Sequence, residues 1–230
     1  MATSLSAPPR LGLQLGIGAL LLVAAAWMFS AIAEDVVSSD RLTLVDADLA
    51  QWLHRHATAG ATRWILLFTN LNSTIAMSFY SAVAGVVLLR RRNWWSLGTL
   101  ALCMAGGLAL NVAMKLAFHR ARPAFEQPLV TLASYSFPSG HVAASTIFYG
   151  LGVAWVFSRT PNWQWRLLAL VGAAVAIAAV AFSRLYLGAH YLSDVAAAFA
   201  EGVAWLALCL SALTAYRHHR AVSATPGQVR

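Results

Sequence analysis

Charge is what this sequence has least of. Only 10% of its 230 residues are Asp, Glu, Lys or Arg, whereas a soluble domain carries about 25%. That shortage excludes an ordinary water-soluble domain, and with 60% of the residues hydrophobic it puts the chain in a membrane. Nucleic acid is excluded as a partner as well. The formal net charge is +8, but the basic residues are sparse and sit at the ends of apolar runs, as membrane-flanking charges do. Cysteine is limited to Cys103 and Cys209, both inside apolar runs, where a thiol behaves as a small hydrophobe. They offer neither metal-ligand spacing nor a disulfide framework. Internal repeats, low-complexity tracts and a second domain are also missing.

What the chain does have is six apolar runs, at about 11–33, 64–89, 94–118, 141–158, 166–183 and 191–216. A helical span needs about 20 apolar residues, with a range of about 17–25, and each run qualifies. The fold class that follows is all-α: a polytopic membrane protein of six transmembrane helices forming one domain over 1–230. The first run follows Arg10 and ends in Ala31-Ile32-Ala33, like a cleavable signal. Its apolar core exceeds the ~7–15 residues of a signal peptide, so it is read as a retained span. Arg10, Arg90-Arg91-Arg92, Arg159, Arg166, Arg217, Arg220 and Arg230 fall on one side of a six-span chain, which should be the cytoplasm. Glu34, Asp35, Asp40, Asp46, Asp48, Glu126 and Asp194 lie at or beyond the other face, so both termini are expected inside. In the outer loop, about 34–63, Leu49, Trp52 and Leu53 have helical spacing. A short amphipathic helix on the outer membrane surface is expected there, as an anchor, with a lid over the lipid entrance as the alternative. The tail from Ala221 to Arg230 is polar and expected to fray.

Three polar clusters interrupt the apolar chain: Lys115 to Pro123, Pro138-Ser139-Gly140-His141, and Ser183-Arg184 followed by His190 and Asp194. In the second, Pro138 cannot continue a helix, Ser139 is a preferred N-cap residue, and Gly140 admits a ligand close to the backbone. The first turn of the helix that follows is a seat for an anion, and His141 is placed to protonate a leaving oxygen. In the six-span arrangement all three clusters meet at the outer face, where charge at membrane depth marks a functional site. Lys115, Arg122 and Arg184 would repel one another unless an anion joined them, and a phosphate or diphosphate is the natural guest. His190 and Asp194 stand four apart, so on one helix face the carboxylate reaches back to the imidazole. Holding one ring nitrogen leaves the other free as a nucleophile.

These clusters resemble the three-part signature of the type 2 phosphatidic acid phosphatase (PAP2) superfamily, which also includes the vanadium haloperoxidases. The pattern K-x6-RP, PSGH and SR-x5-H-x3-D is met at Lys115, Arg122, Pro123, Pro138, Ser139, Gly140, His141, Ser183, Arg184, His190 and Asp194. The resemblance covers a catalytic core of about 64–210. It implies a haloperoxidase-like helical core and a bacterial inner-membrane phosphatase whose site faces outward. By that resemblance His190 attacks phosphorus and forms a phosphohistidine, Asp194 holds its ring, and His141 is the general acid. Lys115, Arg122, Ser139, Gly140 and Arg184 hold the phosphoryl oxygens. The cations stand where a metal would, so no metal and no cofactor is expected, and the sequence offers no carboxylate cage for magnesium.

Around the signature, Asn111 lies one turn before Lys115 and is read as orienting it or as an interhelical hydrogen bond. His119 and Arg120 are loop cations, either solvated or meeting a second phosphate. Ser183 is a candidate supporting residue. Asn70 and Asn72 carry no assigned role, and Glu201, whose presence has no evident reason, is expected to be hydrogen-bonded inside the bundle, with a part in a proton path as the alternative. His54, His56, His218 and His219 are expected on the surface. The expected partners are the bilayer and a lipid phosphate within it. Undecaprenyl diphosphate is the first choice, with phosphatidic acid and phosphatidylglycerol phosphate close behind. The alternatives are a phosphotransferase to another lipid such as lipid A, and a non-catalytic lipid-binding or transport protein of the same fold.

Overall fold

The computed structural model describes residues 9–223, and among them every regular element is a helix. In chain order these are α1 (Pro9–Ser38), α2 (Arg41–Arg55), α3 (Ala59–Leu71), α4 (Thr74–Arg90), α5 (Trp94–Phe118), α6 (Gly140–Arg159), α7 (Trp163–Tyr186) and α8 (Leu192–Ser223). Six stretches are long and apolar enough to cross a membrane, with α3 and α4 together making the second. The break between those two helices is local. Asn72 ends α3, and Ser73 caps α4 by accepting a hydrogen bond from the Ala76 N–H at 3.1 Å. The run expected as one span over 64–89 is thus two helices in line, because a cap residue satisfies the orphan N–H groups of a new start. Residues 224–230, with most of the expected polar tail, lie outside the described residues.

Large apolar side chains point outward. Leu20, Trp27, Trp64 and Ile75 are each more than two-thirds exposed, as lipid-facing residues must be. The interior is instead built from small residues, with Ala197, Ala198 and Ala200 on α8 fully buried. Small residues let backbones approach, which is how helices hold together where lipid removes the hydrophobic drive. α8 is accordingly the central helix, packed along α1, α6 and α5.

The amphipathic helix expected in the outer loop is α2, but it is more than a surface anchor. Asp46, Ala50 and Leu53, at i, i+4 and i+7, form a buried face packed on α7 and α8, while Leu44, Val45 and Trp52 stay exposed. His54 also departs from the surface expectation, since its ring stacks on Phe125 with centroids 4.1 Å apart.

Following the crossings, the ends of α5 and α7 and the starts of α6 and α8 gather at one end of the bundle beside α2. Arg90, Arg159 and Arg217 mark the opposite end. Two left-handed residues close the helices that enter the site. His119 (φ 48°) ends α5, and Gly188 (φ 62°) turns the chain after α7.

Candidate active site

The segment before α6 is clamped by Phe137, which is fully buried and packs on Phe118 and Phe29 with ring centroids 4.8 and 5.7 Å away. That contact ties the turn to α5 and α1. Ser139 takes the N-cap position of α6, as expected, but its hydroxyl does no capping. The Ser139 Oγ and the Arg184 Nε are buried with no hydrogen-bond partner among the described residues. The Ser139 N–H donates to the Asp194 carbonyl at 3.1 Å, so the second and third sequence clusters are stitched together by their backbones. A side chain at Gly140 would press on Asn111 and Thr74, with its Cβ 3.2 and 3.3 Å from their oxygens. Only glycine therefore leaves the first turn of α6 open to a ligand.

His190 lies in the short turn before α8, is buried, and faces two ways. Its Nε2 is 3.2 Å from Arg122 Nη1, and its Nδ1 is 3.5 Å from both Asp194 Oδ2 and Ser136 Oγ. Burial pushes the imidazole down to about 4 against the pull of the Asp194 carboxylate, so the ring is neutral near pH 7. His141, in the first turn of α6, is within electrostatic reach of Arg184, His190, Arg122 and Lys115.

Lys115 and Arg122 are held by backbone carbonyl groups. Lys115 Nζ donates to Tyr135 O at 2.8 Å. Arg122 donates through Nε to Ser134 O at 2.7 Å, through Nη1 to Ala189 O at 2.5 Å and through Nη2 to Tyr135 O at 3.1 Å. Burial lowers the Arg122 guanidinium below its ordinary value. Arg184 is 3% exposed and donates to Thr69 Oγ1 at 3.0 Å. Ser183 donates to the same Thr69 hydroxyl at 3.1 Å, so it supports Arg184 from behind.

Asp194 is the hub, and His190 is its loosest partner. Its Oδ1 accepts from Arg120 Nη1 at 2.6 Å, and its Oδ2 accepts from Ser136 Oγ and, at 2.8 Å, from the Tyr191 N–H. The last of these is the carboxylate half of a capping box at the start of α8. Arg120 is neither solvated nor free for a second phosphate. Its other nitrogen, Nη2, donates to Asp46 Oδ2 at 2.8 Å, and its Cζ lies 4.4 Å from the Tyr191 ring centroid. Burial works against the charged guanidinium, but the two carboxylates outweigh it and raise its pKa. His119 packs edge-on against Tyr135 and makes no such link.

Asn111 does not orient Lys115. Its Nδ2 donates to Glu201 Oε2 at 2.8 Å across α5 and α8, which gives Glu201 the interior hydrogen bond expected of it. Asn70 is exposed, while Asn72 Oδ1 accepts from the Tyr149 hydroxyl at 2.7 Å. Three residues of the site have no role assigned from the sequence: Asp46, Ser136 and Thr69. Asp46 alone had a readable signal, being the polar member of the inward 46, 50, 53 face.

Comparison with known proteins gives the family and the fold. The PAP2 superfamily model matches residues 96–217, which hold all three clusters. The chain belongs to the PAP2 superfamily. It is similar to phosphatidylglycerophosphatase B of Bacillus subtilis, 29% identical over 138 residues, which are 59% of this chain and 66% of that protein's length. Its fold is that of a crystallised transmembrane PAP2-type phosphatidylglycerolphosphate phosphatase from Bacillus subtilis. The TM-score is 0.73, with 21% identity, over 91% of this chain and 98% of the other.

Proposed function

We propose that this membrane protein is a lipid phosphatase that hydrolyses a phosphate monoester through a phosphohistidine on His190, without a metal. The observation that carries the reading is the neutral, buried His190 ring with Nε2 against Arg122 and Nδ1 toward Asp194. Nε2 is the atom that attacks phosphorus, and the P–O bond to the lipid alcohol breaks in line. His141, in the first turn of α6, gives its proton to the departing oxygen and then takes one from the water that cleaves the P–N bond. Ser139 Oγ, Arg184 Nε and the open first turn of α6 supply donors for the equatorial oxygens, with Lys115 and Arg122 balancing their charge.

The substrate we favour is phosphatidylglycerol phosphate. The name of the Bacillus relative moves a glycerophospholipid monoester ahead of undecaprenyl diphosphate. The arginine-rich opposite end supports a site that faces away from the cytoplasm, with both termini inside. The test is phosphate release by purified protein in detergent from phosphatidylglycerol phosphate, phosphatidic acid and undecaprenyl diphosphate, with EDTA present. Turnover that needs added magnesium would overturn the metal-free mechanism. Release only when an acceptor lipid is added would make the protein a phosphotransferase.

A further inference from the structure

Asp46 is buried, carries a carboxylate, and sits on the one helix outside the family match and outside the six spans. Burying a carboxylate costs several kcal/mol unless it is fully paired, and this one is. Its Oδ1 accepts from the Ser193 N–H at 2.9 Å, and its Oδ2 accepts from Ser193 Oγ and from Arg120 Nη2. Asp46 therefore caps the first turn of α8 from another helix and places negative charge at the positive end of that helix.

Arg120 continues the chain of contacts. One guanidinium bridges two carboxylates, with Nη2 on Asp46 and Nη1 on Asp194 at 2.6 Å, and Nη1 also donates to Ser193 Oγ at 2.6 Å. A planar fork held at both ends cannot turn without breaking a charged bond. Asp194 has little other restraint on Oδ1, because Ser136 and the Tyr191 N–H both use Oδ2. Ser136 and Tyr191 hold the oxygen that faces His190 Nδ1 at 3.5 Å, while Arg120 fixes the other oxygen and with it the plane in which the carboxylate meets the imidazole.

We propose that Asp46 and Arg120 are positioning residues for the reaction on His190, so that the outer helix α2 is a working part of the catalytic site. The proposal rests on His190 being the nucleophile. Removing the Asp46 charge frees one end of the Arg120 fork, lets the Asp194 carboxylate rotate, and loosens the imidazole whose Nε2 must point at phosphorus. The phosphate cradle keeps its own bonds, since among the described residues the Asp46 and Arg120 side chains make no hydrogen bond to Lys115, Arg122, Ser139 or Arg184.

The test compares wild type with Asp46→Asn, Arg120→Lys and the milder Ser193→Ala in detergent. Wild type is assayed first, and absence of phosphate release there would end the parent reading rather than this one. With wild type active, Asp46→Asn and Arg120→Lys should each lower kcat by roughly 10–100-fold, as loss of a carboxylate partner behind a working histidine does, with KM within about threefold. The double variant should lose no more than the worse single one, because the two act as a unit. Orthovanadate, which mimics the trigonal-bipyramidal state bonded to the ring nitrogen, should inhibit the variants more weakly by the same factor. Inorganic phosphate, which reads the cradle alone, should inhibit them as it does wild type. Ser193→Ala deletes a single hydroxyl and carries the same split, at a smaller loss, if the other two fail to fold. Unchanged kcat per folded molecule, or equal weakening of vanadate and phosphate, would overturn the proposal.

Discussion

Replacing Gly202 by alanine adds one methyl group between α8 and α6 and should still damage catalysis. A Cβ at 202 would stand 2.8 Å from both Cβ and Cγ2 of Thr146 and 3.3 Å from the Ala143 carbonyl oxygen. Carbon atoms rest at about 3.5–4.0 Å, so α8 and α6 must part by roughly 0.7 Å. No rotamer change relieves the clash, because the Thr146 Cβ is fixed to its backbone. Overpacking of this kind costs about 1–3 kcal/mol. The two helices that separate carry His141 on α6 and Asp194 on α8, the acid and the support of the nucleophile in the proposed reaction. Gly202 is eight residues beyond Asp194, or about 12 Å along the helix. A misplacement near 1 Å at reacting groups costs about 100-fold, so kcat should fall by roughly tenfold even in the folded fraction. Thermal unfolding and phosphate release in the same detergent read both effects. Gly152→Ala and Gly172→Ala are the controls, since a methyl group at either meets nothing within 4 Å. A Gly202→Ala protein as stable and active as those controls would refute the packing argument.

Three further outcomes follow from the site. Ser136→Ala removes the hydroxyl that donates to Asp194 and touches His190 Nδ1. A hydrogen bond to a charged group is worth about 1.5–3 kcal/mol, so kcat should drop by roughly tenfold or more with KM little changed, and equal kcat would remove Ser136 from the site. The His190 imidazole, held down to about 4 by burial, should titrate near pH 4 when its nitrogen resonance, assigned by difference from His190→Asn, is followed. A midpoint near 6.5 would contradict its burial. Because the folded value lies below the unfolded one of about 6.5, the unfolded chain binds the extra proton between pH 6.5 and 4. Stability from this group is present above that window and lost as the pH falls through it. Finally, single cysteines at Leu132 and Arg91, in a chain with Cys103 and Cys209 replaced, should react with an impermeant thiol reagent on intact cells at 132 and not at 91. The reverse labelling would invert the orientation.

The six spans and the three clusters were legible because lipid and phosphate each impose a short list of residue types. Length and hydropathy suffice for a helix with no water around it, and a charge inside such a chain stands out. The break at Asn72 and Ser73 was not legible, since two in-line helices keep one continuous apolar pattern. Arg120 was misread for a different reason. Its role depends on Asp46, 74 residues away in the chain, and nothing local to Arg120 reports a carboxylate arriving from α2. Ser136 and Thr69 are ordinary hydroxyls in sequence and become part of the site only where helices meet. Glu201 looked unexplained until Asn111 arrived from α5 to bond it.

The central claim is that His190 carries the phosphoryl group. Its most direct measurement is an alkaline quench of the purified protein mixed with a lipid phosphate labelled with radioactive phosphorus, followed by peptide mapping. A phosphoramidate bond survives base and breaks in acid, so the account predicts an acid-labile label on the peptide bearing His190, absent in His190→Asn. Full-speed phosphate release with no label on that peptide, or a label that persists in His190→Asn, would contradict it.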